Sequence, residues 1–231
     1  PRPVSERRVL VINPNSNSTV TQGIDQAVAD FREPEILSID CVDLPGAPFG
    51  IESDADIAAV QPLIVDKVRA GQARYYAFII ACYSDPALTE CRTVTTKPVL
   101  GIQESAVALA VGSGKRFGVL ALGPESIQRH IAYVSNLGMQ IWHAGERPLH
   151  LSVDEAANDP LAIDRIIECG RELIEQDHAT TIVLGCAGMA RHRQAAEDAL
   201  DVPVIDPVQA AVIMAQQHFT LLAGDSLEVS E

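Results

Sequence analysis

The sequence is poor in basic residues, and this limits the partners that it can bind. Its 231 residues include 17 lysines and arginines against 31 aspartates and glutamates, which gives a formal net charge of −14. A surface of that charge repels polyanions, so nucleic acid is not an expected partner. The densest basic cluster, at residues 6–8, is too small to form a binding patch. We therefore expect a small-molecule partner.

Long apolar segments are also missing. The apolar run at residues 9–12 stops at Asn13 and is too short for the apolar region of a secretory signal. The longest uncharged run, residues 207–224, has Val208 and Val212 at helical spacing and polar residues on another face. This pattern predicts an amphipathic packing helix and not a membrane span. We expect a soluble, cytoplasmic protein that does not bind membranes and that assembles as a homo-oligomer.

Disulfide and metal-binding spacings are absent as well. The cysteines are odd in number and none belongs to a Cys-x-x-Cys pair; they are Cys41, Cys82, Cys91, Cys169 and Cys186. The six histidines show no His-x-x-His or Glu-x-x-His spacing. A disulfide framework and a metal site are therefore not expected. None of the three lysines ends a predicted strand, which argues against a pyridoxal Schiff base, so we expect no cofactor.

What the sequence does contain is a regular alternation of strand and helix signals. Apolar runs such as RVLVIN, YYAFIIA, FGVLAL and TTIVLG predict buried strands, and a further short strand is predicted near MQIW at residues 139–142. Stretches with helical apolar spacing lie between them, for example residues 54–68 with Val60, Ile64 and Val68 on one face. Parallel strands covered by helices on both faces give this alternation, so the predicted class is α/β.

An internal repeat extends this prediction. Residues 77–111 and 181–215 both consist of an apolar strand, a cysteine, a turn, a helix, a Pro-Val strand and an alanine-rich helix. Two copies of one unit predict two flavodoxin-like subdomains related by approximate two-fold symmetry. We assign residues 1–98 together with 207–231 to the first subdomain and residues 99–206 to the second.

The two repeated cysteines, Cys82 and Cys186, each stand at the end of a predicted strand. Ligands bind beyond the carboxyl ends of parallel strands, so the symmetry predicts that both thiols face one cleft between the subdomains. Buried packing is the alternative interpretation for any single cysteine, and we apply it to the three that have no counterpart in the repeat. Two opposed thiols suit a reaction in which one, as a thiolate near neutral pH, removes a carbon-bound proton and the other protonates the opposite face.

Four motifs resemble the aspartate/glutamate racemase superfamily, and within it the hydantoin racemase branch. They are VLVINPNSNSTVT (9–21), IIACYSDPAL (79–88), IVLGCAGM (182–189) and PVIDPVQAA (203–211), and the similarity covers nearly the whole chain. The resemblance implies cofactor-independent racemisation with Cys82 and Cys186 as the acid/base pair. It also implies a set of substrate-binding residues: Asn13, Asn15, Ser16, Tyr83, Ser84, Ala187 and Gly188.

The chain departs from the usual family pattern at several positions. Tyr83 stands where the family usually has Phe, and Ala87 where it usually has Gly. After the strand FGVLAL the family commonly has ligand-contacting threonines, whereas here the first hydroxyl is that of Ser126. The expected substrate is a 5-substituted hydantoin or an allantoin-type cyclic ureide.

Other functions remain open at this stage. An amino-acid racemase or an arylmalonate-type decarboxylase of the same superfamily is the nearest alternative, although such decarboxylases lack the first cysteine. A non-catalytic binding module would not need paired cysteines. His192 could serve as the base of a Cys–His hydrolase, but we expect it on a solvated helix face beside Arg191 and Arg193.

Overall fold

The computed structural model describes residues 7–33 and 37–224. The predicted subdomain termini at residues 1–6 and 225–231 therefore lie outside the described part of the chain. The strands are β1 Arg8–Ile12, β2 Ser38–Val42, β3 Ala77–Ile80, β4 Val99–Gly101, β5 Phe117–Ala121, β6 His143–Pro148, β7 Thr181–Leu184 and β8 Val204–Ile205. The helices are α1 Ser18–Ala27, α2 Asp54–Gly71, α3 Leu88–Val94, α4 Ile102–Gly112, α5 Pro124–Asn136, α6 Val153–Asn158, α7 Ala162–Asp177, α8 Arg193–Leu200 and α9 Pro207–Gly224.

The strands form two parallel sheets of four strands with the same topology. The orders are β2-β1-β3-β4 and β6-β5-β7-β8, so each strand of the first sheet has a counterpart in the second. The central strands β3, β5 and β7 are buried along their whole length, and β1 is buried after Arg8, as their apolar sequences require. The α/β class is confirmed, and the order 2-1-3-4 is that of a flavodoxin-like sheet.

The boundary between the two halves lies later than predicted. Strand β4 pairs with β3 in the first sheet, with Phe78 opposite Val99 and Ile80 opposite Gly101. The assignment of residue 99 to the second subdomain is therefore wrong for this strand. The repeat explains this pairing. In each half, the chain leaves the sheet at the cysteine-bearing turn, and the next strand joins the same sheet, so β4 pairs with β3 as β8 pairs with β7.

The strand predicted near residues 139–142 is also displaced. Residues Gln140–Trp142 form a turn of 3₁₀ helix, and β6 begins only at His143. This strand has the sequence HAGERP, pairs only with β5 and is partly exposed along its length. A sheet edge does not require the continuous apolar sequence that marks central strands, so the pattern did not reveal it.

Three of the helices begin at a residue whose side chain accepts a hydrogen bond from a free backbone donor of the first turn. Ser53 and Ser152 form capping boxes at the starts of α2 and α6, and the side chain of Asn17 accepts the Thr19 N–H at the start of α1. Val60, Ile64 and Val68 of α2 are fully buried, as their spacing predicts.

The two halves share one core. Helix α9 packs against α4 and also contacts β3 and β4, so the last helix of the repeat returns to the first sheet. Its residues Val208 and Val212 are fully buried in a cluster that includes Val9 of β1 and Val183 of β7. Within residues 7–33 and 37–224, no helix is long and apolar enough to cross a membrane.

Candidate active site

A cavity of about 170 Å³ lies where the carboxyl ends of the two sheets face each other. Its walls come from the segments that follow β1, β2 and β3 of the first sheet and β5, β6 and β7 of the second. Ligand pockets for larger molecules usually enclose roughly 300–1,000 Å³. The cavity is therefore suited to one small substrate.

Most of the residues expected at the site line this cavity. These are Asn13, Asn15, Cys82, Tyr83, Ser84, Cys186, Ala187 and Gly188. Ser16 does not line it, and this expectation is wrong. The Ser16 backbone N–H donates to the Pro48 carbonyl at 3.0 Å, which turns the chain away from the cavity after Asn15.

Cys82 follows β3 and lies among groups that favour its ionised form. Its Sγ is 3.3 Å from the Ser84 hydroxyl oxygen, and the Ser84 backbone N–H also interacts with it. Burial and the nearby Asp85 raise the pKa of the Cys82 thiol, whereas the Ser84 contacts and the Arg129 guanidinium act to lower it, and the net effect is a raised pKa. Cys82 is partly exposed to the cavity.

Cys186 follows β7 and has less help in forming a thiolate. The Gly188 backbone N–H donates to its Sγ at 3.3 Å. Burial, with smaller contributions from the nearby Cys82, Glu52 and Asp206, raises the pKa of Cys186 to about 12 against the lowering effect of the Gly188 N–H. Both thiols line the same cavity.

The sequence suggested that one thiol would ionise near neutral pH, whereas in the structure the pKa values of both thiols are raised. Desolvation is the largest influence on both Cys82 and Cys186, and it raises both pKa values. Burial therefore opposes the formation of a thiolate at either cysteine. At Cys82, Ser84 and Arg129 partly offset this effect.

The buried side chains of Asn13 and Asn15 form a hydrogen-bonded pair in the wall of the cavity. The Asn13 Nδ2 donates to Asn15 Oδ1 at 2.8 Å and to Thr21 Oγ1 at 3.0 Å. The Asn15 Oδ1 also accepts the Asn17 N–H at 2.9 Å. Asn17 then reaches the second half of the molecule through Asp154 Oδ1 at 2.9 Å. The Asn-Pro-Asn motif thus holds the loop after β1 in one conformation.

Two buried aspartates, Asp85 and Asp206, accept hydrogen bonds from the first N–H groups of the equivalent helices α4 and α9. Asp85 accepts the N–H groups of Gln103 and Glu104 at the start of α4, each at 2.9 Å. Asp206 Oδ1 accepts those of Val208 and Gln209 at the start of α9. Burial raises the pKa of Asp85 to about 7 and that of Asp206 to about 6.

Sequence reasoning missed four polar residues of the cavity wall: Glu52, Glu125, Arg129 and His130. Glu52 Oε1 accepts the Val153 N–H at 2.8 Å and so bridges the two halves. Arg129 supplies the one guanidinium or ammonium group of the wall in the described residues. Its position one turn into α5, beside the unusual loop at residues 121–124, is the only signal that could have revealed it.

His130 lies deeper, against the residue that follows Cys82. Its Nδ1 is 2.8 Å from Glu146 Oε2, and both side chains are almost fully buried. The Tyr83 ring meets the imidazole edge to face, with centroids 4.9 Å apart. The aromatic residue after Cys82 is thus fixed by a histidine and a carboxylate from the second half.

Two remaining expectations concern residues outside the thiol pair. Ser126 does line the cavity, but its hydroxyl donates to the Gly123 carbonyl at 2.8 Å. His192 is buried and not on a solvated face, because its Nε2 lies 3.2 Å from the Ala156 carbonyl oxygen. It does not line the cavity, which removes the geometric basis for a Cys–His pair.

No group of three or more His, Cys, Asp or Glu side chains is arranged to hold a metal ion in the described part of the chain.

Cys91 and Cys169 are buried among apolar side chains, as expected for packing cysteines. Burial raises the pKa of the partly exposed Cys41 to about 12.

Comparisons with known proteins agree with this architecture. Residues 9–215 match the family described as Asp/Glu/Hydantoin racemase. The chain is 36% identical over 211 residues to a hydantoin racemase of Pseudomonas sp. (strain NS671), covering 90% of this chain and 84% of the relative. It is 34% identical over 212 residues to one of Rhizobium meliloti, covering 90% and 87%.

A solved structure also superimposes on nearly the whole chain. The allantoin racemase from Klebsiella pneumoniae has a TM-score of 0.87 and 30% sequence identity, covering 93% of this chain and 88% of its own. This chain, which has the two-sheet fold and the cavity between the sheets, therefore matches one family over most of its length. The protein belongs to the Asp/Glu/Hydantoin racemase family.

Proposed function

We propose that this protein is a cofactor-independent racemase that uses Cys82 and Cys186 as a two-base pair on a 5-substituted hydantoin or an allantoin-type cyclic ureide. The observation that carries the proposal is that the two thiols end equivalent strands of two equivalent sheets and line one small cavity. The names of the relatives, hydantoin racemase and allantoin racemase, support this substrate class.

The reaction needs one proton removed and one proton returned. One cysteine, as the thiolate, takes the proton from the stereocentre, and the electron pair of the broken C–H bond moves onto the adjacent carbonyl as an enolate. The opposing thiol then gives its proton to the other face of the same carbon. The two cysteines exchange protonation states in each turnover. Exchange of their protons with solvent, or a turnover of the opposite enantiomer, restores the starting state.

The surrounding residues have supporting roles in this proposal. Ser84 and Gly188 donate hydrogen bonds to the sulfurs of Cys82 and Cys186 and stabilise the thiolates. Asn15, held by Asn13, hydrogen-bonds to the ureide. Tyr83 and Ala187 shape the walls beside the two thiols.

The test is racemisation without any added cofactor. Protein dialysed against a chelator should erase the optical rotation of an enantiopure 5-substituted hydantoin or of allantoin. In heavy water it should place deuterium at the stereocentre. Loss of activity on dialysis and recovery with zinc would contradict the two-thiol mechanism.

The same assay is then run on compounds of the rival reactions. Aspartate and glutamate test amino-acid racemisation, and an arylmalonate tests decarboxylation by release of carbon dioxide. Turnover of one of these compounds, with none of the cyclic ureides, would replace the proposed substrate class.

A further inference from the structure

A second concave surface adjoins the cavity and has no role in the proton transfers described above. This groove, of about 300 Å³, is lined by Asp54, Ile57, Ala58, Gln61, Ser84, Gln103, Arg129 and Tyr133. Ser84 and Arg129 line both the groove and the cavity. A substituent on a small ring held between the thiols could therefore extend past Ser84 into the groove.

Two of the groove side chains have buried donors without partners. The Nε2 of Gln103 and the Nε of Arg129 are both shielded from solvent, and neither makes a hydrogen bond within the described residues. Gln103 as a whole is 1% exposed. A buried donor that has lost water and gained no acceptor raises the free energy of the folded protein. An acceptor supplied by a ligand would remove this cost.

The remaining contacts of Arg129 leave it able to bind a ligand. Its Nη1 donates to Asp54 Oδ1 at 3.0 Å and to the Glu125 carbonyl at 3.4 Å. The Asp54 side chain is 84% exposed, so this ion pair is weakened by solvent. Two other carboxylates of the cavity wall lie at helix starts, where the helix dipole partly offsets their charge: Glu52 accepts the first N–H of α6, and Glu125 is in the first turn of α5.

From these contacts we propose that the groove holds the 5-substituent of the substrate and that Arg129 and Gln103 select a substituent ending in a carboxylate or carboxamide oxygen. This inference rests on the proposed racemase function and names its substrate more closely. The apolar side of the groove, formed by Ile57 and Ala58, contacts the methylene that links such a group to the ring. An alkyl substituent of the same shape would leave both donors unpaired.

The experiment compares three hydantoins of nearly equal shape that carry carboxymethyl, carbamoylmethyl or isobutyl groups at C5. Their racemisation gives kcat/KM, and titration calorimetry gives binding. We expect the carboxymethyl and carbamoylmethyl compounds to exceed the isobutyl compound by about tenfold or more in kcat/KM, since each gained hydrogen bond contributes up to ~1.5 kcal/mol and a charged one more. An isobutyl compound that performs as well as the others would overturn the proposal.

Variants then assign the selectivity to residues. Arg129→Gln should lower kcat/KM for the carboxymethyl compound by about 10- to 100-fold relative to the isobutyl compound. Gln103→Met should reduce the advantage of both polar compounds several-fold. Asp54→Asn should favour the carboxymethyl compound, because it removes a competing carboxylate. The exposed Arg69, which pairs with Asp66, provides the control, and Arg69→Gln should change none of these ratios.

The ratio between compounds separates substrate selection from an effect on the thiol. Arg129 also influences the pKa of Cys82, and loss of that influence would slow all three compounds equally. An equal loss with Arg129→Gln would therefore refute the subsite. If none of the three is racemised, the proposed function fails, and calorimetry still decides the subsite: absent binding, or binding without preference for the polar compounds, would overturn it. Arg129→Lys, which keeps the charge but lacks Nε–H, is the second variant if Arg129→Gln does not fold.

Discussion

The turns that carry Cys82 and Cys186 begin alike and then diverge. The residue before each cysteine makes the same contact, since Ala81 N–H donates to the Ile12 carbonyl at 2.8 Å and Gly185 N–H to the Leu120 carbonyl at 2.9 Å. After Cys82 the chain enters the left-handed region at Asp85 and again at Ala87. After Cys186 it forms 3₁₀ helix instead.

This divergence makes the two thiols chemically different. Cys82 has the Ser84 hydroxyl, the Ser84 N–H and Arg129 to favour its thiolate against burial and the nearby Asp85. Cys186 has the Gly188 N–H alone against burial and three groups that raise its pKa, Cys82, Glu52 and Asp206. Symmetry of the backbone thus places two thiols at equivalent strand ends beside one cavity, while the turn residues set their acidities. We expect Cys82 to be the more acidic thiol.

The largest expected effect is on catalysis by either thiol. Cys82→Ser and Cys186→Ser should each reduce racemisation by ~10²–10⁴-fold or more, because a serine hydroxyl cannot replace a positioned thiolate. Polarimetry on an enantiopure hydantoin measures this. Cys169→Ser serves as control, since Cys169 does not line the cavity, and its effect should be confined to stability. Racemisation that survives in either active-site variant would refute the two-base assignment.

A second prediction concerns the difference between the thiols. Iodoacetamide should modify Cys82 at least about tenfold faster than Cys186 at pH 8, because alkylation requires the thiolate and the pKa of Cys186 is raised to about 12. Peptide mapping by mass spectrometry gives the two rates. Ser84→Ala should slow the modification of Cys82 and leave Cys186 unchanged. Equal rates in the wild-type protein would show that the turns do not differentiate the thiols.

The two capping aspartates provide a third comparison. A methyl group at Gly101 would lie 2.2 Å from the Asp85 carboxyl carbon, so Gly101→Ala must displace this cap of α4. Asp85→Ala removes the same cap and should cost about 1–2 kcal/mol of the free energy of unfolding. Chemical denaturation should show that the double variant has nearly the same free energy of unfolding as the less stable of the two single variants, because both changes break the same interaction.

Gly112→Ala is the matched control for this cycle, since a methyl group there meets nothing within 4 Å at the other end of the same helix. It should leave stability unchanged or slightly raised. Fully additive losses for Asp85→Ala and Gly101→Ala would contradict the shared contact.

The smallest expected effect is a pH dependence that Asp206 confers. Its folded pKa of about 6 is above the usual value of 3.8, so its contribution to stability is complete below pH 3.8 and is lost as the pH rises through 6. Asp206→Asn keeps the oxygen that accepts both helix N–H groups and removes the ionisation. The free energy of unfolding of the variant relative to wild type, measured by chemical denaturation, should therefore rise between pH 4 and pH 7, by an amount on the order of 1 kcal/mol. A constant difference would contradict the raised pKa.

The residues that the sequence could predict are those whose role is set by pattern. Continuous apolar runs located the central strands, and the repeat located Cys82 and Cys186 at equivalent strand ends. The polar edge strand His143–Pro148 escaped, because an edge makes weaker demands on its sequence. The departure at Ala87 became understandable only in the structure, where its φ of 58° explains the usual Gly at this position.

Other features depend on contacts between distant parts of the chain. Glu52 reaches the cavity from the loop before α2, and Arg129 and His130 reach it from α5, and no local spacing marks such a convergence. Ser16 was misplaced because the loop turns at Pro48, a contact 32 residues away along the chain. The thiol pKa values follow from burial, which a sequence indicates only coarsely.

The most direct test of the central claim is deuterium exchange in heavy water with each single-cysteine variant and each pure enantiomer of a 5-substituted hydantoin. One remaining thiol can remove a proton and return a deuteron to the same face, so each variant should exchange one enantiomer without inverting it. Cys82→Ser and Cys186→Ser should therefore exchange opposite enantiomers, as followed by NMR and chiral chromatography. Exchange of the same enantiomer by both variants would contradict the placement of the two thiols on opposite faces of the substrate.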